Sequence, residues 1–205
     1  LDSDDYWLPN KLEKILEIIK YNKFDVICHS EHIIDQFKAK KKIWNYGPIT
    51  KNFYKTLIKK GNRFSTSASC IKKSFIIENK IKFDENKSFV TAEDYSFFLY
   101  LAFKNAKTFF LNNPLGYRLI HSGSASAKVH LHLKANKSVL RKHVFEVQKF
   151  EKNKLRLWKE VNNNFLLRVN LFLNPNKTPI KKRILKVFTL FFEYPKNNFE
   201  YFIYL

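Results

Sequence analysis

The chain has 205 residues, with 38 Lys and Arg against 18 Asp and Glu, which gives a formal net charge of +20. Hydrophobic residues make up 45% of it and aromatic residues 17%, so it carries enough apolar surface to fold, which excludes a disordered tail. The low counts of Gly (4) and Pro (6) exclude collagen-like or linker-rich material, and the length fits one domain with or without an appendage.

Apolar spacing and turn residues predict alternating helices and strands in the first two thirds of the chain. An amphipathic helix is predicted over 9–22, and a buried strand over 24–29 that a second strand at 31–37 could pair with. This alternation predicts an α/β fold. The elements predicted after it are a charged turn at 38–42, a helix that ends at Gly61-Asn62, a strand over 63–71, a helix over 92–105, and strands over 107–112 and 115–120.

From Lys134 onward the pattern becomes helical and basic. Helices are predicted around Val139–Val147, over 155–167 and over 180–192, where a Lys/Arg-rich start leads into a Phe-rich end. We therefore expect a catalytic part at 1–133 and a helical basic extension at 134–205. The chain lacks Met and starts with Leu1, so we expect it to begin inside a larger protein.

Charge and cysteine usage limit the partners and the compartment. The net charge of +20 predicts anionic partners such as phosphates, nucleotides, acidic lipids or nucleic acid. The two cysteines, Cys28 and Cys70, are isolated in apolar stretches, which is typical of a reducing cytoplasm. No apolar run reaches the roughly 18 residues of a membrane-spanning helix.

Two acidic clusters could carry chemistry. The segment Asp2-Ser3-Asp4-Asp5 places three carboxylates together, either around a divalent cation and its phosphates or as a cap for the following helix. The segment Thr91-Ala92-Glu93-Asp94 directly precedes a helix. Its carboxylates either respond to the helix dipole or include a general base aimed at a substrate hydroxyl.

A histidine follows the last predicted strand. Tyr117-Arg118-Leu119-Ile120-His121 leads into a Gly/Ser loop, where His121 could ligate a metal or serve a structural role. His130 and His132 have no acidic neighbour in the sequence, and we expect both on the surface.

The order and spacing of these three segments resemble family 2 glycosyltransferases of the GT-A fold. The opening Leu-Asp-Ser-Asp-Asp-Tyr-Trp-Leu-Pro-Asn-Lys-Leu-Glu is the most specific part, and the likeness covers about 1–130. In particular, the chain is similar to bacterial enzymes that build surface polysaccharide or lipooligosaccharide. The family's N-terminal nucleotide-binding half has no counterpart in the sequence, so the chain alone could be inactive.

The resemblance implies an inverting hexosyl- or N-acetylhexosaminyltransferase that uses Mn²⁺ or Mg²⁺ and a nucleotide-sugar donor, usually a UDP-sugar. It implies a glycan or lipid-linked acceptor. The implied metal ligands are Asp4, Asp2 and His121, the implied catalytic pair is Asp94, as base, with Glu93, and Asp2, Asp5 and Arg118 would contact or support the donor nucleotide.

Other segments have less specific implications. In the family, a strand like Phe64–Ser69 runs under the donor sugar, although the same polar alternation also suits an ordinary sheet edge. Trp7 and Trp44 could stack on sugar faces or pack in the core. The basic helix predicted at 180–192 could lie on the anionic cytoplasmic face of the inner membrane or pack on the catalytic part.

Two non-enzymatic alternatives remain. A basic nucleic-acid-binding module would use the same charge and aromatic content, although the basic residues are scattered and no known module is present. A non-catalytic scaffold is the other alternative.

Overall fold

The computed structural model describes residues 1–35, 42–121, 123 and 128–169, together with Leu185 and Phe188. The chain divides into two compact units. The first comprises Leu1–Leu57 and Asn62–Val139, and the second comprises Ile58–Gly61 and Leu140–Leu205.

The described residues contain five strands and six α-helices. A single turn of 3₁₀ helix and a π-helical turn complete the regular structure. In chain order the elements are β1 (Tyr6–Trp7), α1 (Lys11–Tyr21), β2 (Val26–Asp35), β3 (Lys42–Trp44), α2 (Phe53–Lys60), β4 (Ser69–Ile71), α3 (Lys73–Glu78), the 3₁₀ turn (Lys87–Phe89), α4 (Glu93–Phe103), β5 (Thr108–Ile120), α5 (Val129–Lys142), the π turn (His143–Val147) and α6 (Lys154–Arg168).

The strands form one mixed sheet in the order β1-β5-β2-β3, with β4 also paired to β2. The central pair β2 and β5 is parallel, and the other pairs are antiparallel. Parallel strands lie between covering layers, which explains why β2 is buried from Val26 to Glu31. The first unit is thus α/β, as the sequence predicts.

One face of this sheet packs against α1. Ile15 and Ile18 of the helix meet Ile27 and Leu115 of the sheet, with Phe24, Cys70, Phe109 and Leu111 around them. The predicted helix at 9–22 is therefore confirmed. The buried face of α1 does not include all of its regularly spaced apolar residues. Leu12, Leu16 and Ile19 are exposed, whereas Lys11 is buried.

The opposite face carries an aromatic core built with α2 and α4. Phe64 stacks on Phe98 with ring centroids 4.4 Å apart, and Phe53 meets Phe64 and Phe110 edge to face. The α4 helix is apolar almost all round and is buried over most of its length, as expected for a helix inside the core. Tyr95 donates a 2.6 Å hydrogen bond to the carbonyl of Leu57, which satisfies its buried hydroxyl.

Three sequence predictions need correction. The segment predicted at 31–37 as a pairing partner is the continuation of β2, which runs unbroken to Asp35. The strands predicted at 107–112 and 115–120 are a single strand, β5, whose pairing with β2 is irregular near Pro114. Only 69–71 of the strand predicted at 63–71 is extended, because 66–68 form a turn.

The second unit is described as far as Arg168 and Val169. Lys59 forms an ion pair with Glu160, and Phe145 packs against Trp158 with centroids 5.9 Å apart. Gly61 ends α2 with a left-handed φ of +89°, and a Cβ there would overlap the guanidinium of Arg168. The helix predicted at 155–167 is confirmed as α6. Of the helix predicted at 180–192, all but Leu185 and Phe188 lie outside the described residues.

Candidate active site

The acidic opening segment meets the end of β5. The Oδ2 atom of Asp4 lies 2.8 Å from Nε2 of His121, a contact between residues 117 positions apart. The backbone N–H of Gly123 donates to Nδ1 of His121 at 3.1 Å, so Nε2 carries the proton that Asp4 accepts. Both side chains remain partly accessible, at 26% for His121 and 32% for Asp4.

A turn brings the carboxylates of the opening segment together. The backbone N–H of Asp5 donates to the carbonyl of Asp2 at 3.2 Å, which closes a turn. In an extended segment the side chains of Asp2 and Asp4 would point to the same side but lie far apart along it, so a turn is what lets both reach one ligand. The carboxylate of Asp5 accepts a 3.0 Å hydrogen bond from the N–H of Leu119. Asp5 thereby fixes the opening segment to β5 beside His121.

The opening segment is also tied to the Ser67 turn. The N–H of Asp2 donates to Oγ of Ser67 at 3.0 Å, and both Trp7 Nε1 and Lys11 Nζ donate to the Ser67 carbonyl at 2.8 Å. The ammonium of Lys11 lies 3.7 Å from the centre of the Trp7 ring. The segment expected under a donor sugar is thus a turn in direct contact with Asp2, and Trp7 covers a buried cation.

Arg118 lies within a network of buried polar groups. Tyr46 donates a 2.5 Å hydrogen bond to Oε2 of Glu31, and Arg118 interacts with Tyr46, Glu31 and Asp5. Burial alone would lower the pKa of Arg118, but these neighbours raise it instead. Burial raises the pKa of Glu31 despite hydrogen bonds from Tyr46 and Ser65 and the nearby charge of Arg118. The guanidinium therefore serves at least partly to neutralise Glu31 and Asp5.

Sequence analysis did not identify Lys11, His29 and Glu31, which lie under the opening segment. Their exposed fractions are 1%, 0% and 1%. Nδ1 of His29 donates to the Ser30 carbonyl at 2.7 Å, and its Nε2 has no hydrogen-bond partner within the described chain. Burial and the nearby Lys11 lower the pKa of His29 to about 4, so the ring is neutral at pH 7. No local pattern marks these residues, because their burial depends on tertiary contacts such as that of Lys11 with the Ser67 carbonyl.

The expected metal ligands are only partly assembled. Across 1–35, 42–121, 123 and 128–169, no group of three or more His, Cys, Asp or Glu side chains is placed to hold a metal ion. Burial and repulsion from Asp5 and Asp4 raise the pKa of Asp2, with the chain amino group and Arg118 opposing them. A cation would relieve that repulsion. Carboxylate and imidazole are suitable donors for a divalent ion, but His121 would first have to release the Nε2 proton that Asp4 accepts, because a metal binds the nitrogen lone pair.

The acidic pair at the start of α4 differs between its two members. Glu93 is exposed, whereas Asp94 is half-buried. Burial raises the pKa of Asp94, and Glu93 and Asp2 raise it further, while a hydrogen bond from the Tyr95 backbone and the charge of His132 lower it. Of the charged groups that raise the pKa of Asp94, Asp2 contributes less than Glu93.

His132 is less exposed than the surface position expected for it. The residue is half-buried, its Nδ1 lies 2.8 Å from the Thr91 carbonyl, and it acts on Asp94. His130 is exposed, as expected. Trp44 is 50% exposed, with Lys42 5.2 Å from its ring centre.

Comparison with known families and curated sequences does not identify the chain. No family model matches it, and no curated protein sequence matches it. Within the described part of the chain, every helix is too short or too polar to cross a membrane.

Proposed function

We propose that this chain is the catalytic and acceptor-binding part of an inverting glycosyltransferase of the GT-A fold. It would transfer a sugar from a nucleotide-sugar, with a UDP-sugar as the expected donor, to a glycan or lipid-linked acceptor of the bacterial surface. The observation that most supports this is the direct contact of Asp4 with His121, with Asp94 in electrostatic reach of Asp2. The first contact joins two of the three sequence segments that such a site needs, and the third, at Asp94, is linked to them by electrostatics alone.

Asp94 is the residue we assign as general base. A raised pKa gives a carboxylate greater proton affinity, which favours removal of a proton from an acceptor hydroxyl. The resulting alkoxide oxygen bonds to the anomeric carbon while the bond from that carbon to the diphosphate oxygen breaks, with inversion. Exposed Glu93 would face the acceptor in this arrangement.

The opening segment would bind the diphosphate. Asp4 and His121, with Asp2 nearby, are the residues that would hold Mn²⁺ or Mg²⁺, which when bound stabilises the negative charge of the leaving diphosphate. Asp5 holds this segment to β5, and Arg118 supplies positive charge behind it.

A thermal-shift measurement on the intact protein tests this proposal. Mn²⁺ with UDP at 100 times the Kd should stabilise the fold by about 2.7 kcal/mol, which raises Tm by roughly 5–10 °C at this size. Asp4→Ala should abolish the shift, whereas exposed Glu85→Ala should keep it. Salt-sensitive retention on DNA without any nucleotide response would instead favour nucleic-acid binding.

The basic segment at 180–192 supports a second proposal, peripheral contact with an anionic membrane. This rests on sequence alone, since that segment is outside the described residues apart from Leu185 and Phe188. Flotation with anionic vesicles should be lost in a chain that ends at Asn174, and should persist if the segment is not involved.

A further inference from the structure

The turn that precedes α4 has two unfavourable features at one residue. Thr91 has a φ of +79°, a left-handed conformation that β-branched residues rarely adopt. Its Oγ1 is buried and has no hydrogen-bond partner within the described part of the chain. Such strain persists only where the surrounding structure holds it, and it is common at functional sites.

His132 supplies a contact that holds this turn. Its Nδ1 lies 2.8 Å from the carbonyl of Thr91. A carbonyl oxygen can only accept, so Nδ1 carries the proton and donates it. The ring is anchored on α5, where the backbone of His132 bonds to Lys128 and to the Asn136 side chain. The turn is thus fixed by a helix 41 residues away in sequence.

The same turn determines the position of Asp94. Thr91 lies three residues before Asp94. Ala92, the N-cap of α4, closes the preceding turn through a 2.7 Å bond to the carbonyl of Phe89, and its own carbonyl accepts from the N–H of Ser96 in the helix at 3.2 Å. Because the start of α4 follows directly from the Thr91 conformation, a change there would redirect the Asp94 carboxylate. Electrostatic interaction with His132 also lowers the pKa of Asp94.

We propose that His132 is a positioning residue for Asp94, which locks the strained Thr91 turn through its Nδ1–H and so fixes the direction of the Asp94 carboxylate. This role rests on the proposed function, in which Asp94 removes the acceptor proton. His132 acts through the turn and needs no contact with substrate.

Kinetics of three variants of the intact protein test this role. His132→Leu removes the donor, His132→Asn keeps an amide N–H near the position of Nδ1, and exposed His130→Leu on the same helix is the matched control. We expect His132→Leu to lower kcat about tenfold to a hundredfold, with the donor KM changed less than about twofold. His132→Asn should recover most of kcat, and His130→Leu should match the wild type.

Two measurements that need no activity accompany the kinetics. Nitrogen NMR of the His132 ring should show the Nδ1–H tautomer, and His132→Leu should speed amide exchange at 91–94 more than elsewhere. If transfer is absent even in the wild type, the proposed function fails while these two readouts still test the contact. An Nε2–H tautomer, unchanged exchange at 91–94, or equal kcat losses in the Leu and Asn variants would each overturn the proposal.

Discussion

The opening segment and the start of α4 each place a carboxylate near a histidine, yet the two arrangements differ in exposure and in how the histidine acts. Asp4 and His121 bind each other directly at 2.8 Å, and each side chain stays a quarter to a third exposed. Asp94 is half-buried. His132 contacts the carbonyl of Thr91, three residues before Asp94, and also lowers the pKa of Asp94 electrostatically.

A carboxylate near a histidine can bind a ligand or transfer a proton, and the difference in exposure favours one task in each region. An accessible pair contributes little to stability, because water already solvates both groups, but it remains open to a ligand. A desolvated carboxylate costs stability and gains proton affinity in return, which suits a base. The predictions below follow from assigning ligand binding to the first region and proton transfer to the second.

The largest effect is expected when the base is removed. Asp94→Asn should lower kcat for sugar transfer by about 10²–10⁴-fold, the usual contribution of a general base. Binding of UDP should remain nearly unchanged, because the nucleotide is assigned to the opening segment. Steady-state kinetics and calorimetric titration with UDP would measure the two effects separately.

Glu93→Gln is the control for that variant. Its carboxylate is exposed in the same helical turn, so we expect transfer to fall by no more than a few-fold. Equal losses in the two variants would contradict the assignment of Asp94 as the base. Loss of UDP binding in Asp94→Asn would remove the distinction between the two regions.

A third histidine, His29, is expected to have the next largest effect, on stability in acid. Folding lowers its pKa from 6.5 to about 4, so the folded protein binds fewer protons than the unfolded chain between these values. The His29 contribution to the free energy of unfolding therefore falls as pH drops from 6.5 to 4, by about 3 kcal/mol. Denaturation of His29→Asn at several pH values should show a smaller loss over this interval, and an identical loss would contradict a buried neutral ring.

Stability should also reveal the cost of the proposed base. Folding raises the pKa of Asp94, so its contribution to the free energy of unfolding falls as pH rises from 3.8 through the raised value. Asp94→Asn removes this penalty and should have the higher Tm at pH 7, by a few degrees at about 2–4 °C per kcal/mol. The advantage should shrink as pH falls below 3.8. A variant less stable than the wild type at pH 7 would show that helix-dipole stabilisation of the charge outweighs burial.

Local patterns were sufficient to predict α1, the end of α2, α4 and the alternation of helices and strands, but not β1, β3 or α3. These signals act over a few residues and can therefore be found in the sequence without knowledge of the fold. They are the helical spacing of 9–22, the end of α2 at Gly61 and the acidic start of α4. Asp4 and His121 lie in contact, and the shared role that the resemblance implies for them stays a prediction.

Tertiary context decided what the sequence could not show. Lys11 is buried because Ser67 and Trp7 receive its ammonium, although an apolar stripe on the same helix is left exposed. Pro114 was expected to separate two strands, but an irregularity in the pairing with β2 accommodates it. His132 lies between Leu131 and Leu133 on α5, and only the fold shows that it faces Thr91.

The smallest effect is expected for the stability contributed by the accessible pair. A double-mutant cycle of Asp4→Asn and His121→Gln should give a coupling free energy below about 1 kcal/mol, since both partners are partly solvated. The same substitutions should abolish the rise in Tm with Mn²⁺ and UDP, because the ligand rather than the fold depends on these groups. A coupling of several kcal/mol with an unchanged ligand response would make the pair a structural clamp between the opening segment and β5. The Asp4–His121 contact would then have no role in the proposed diphosphate site.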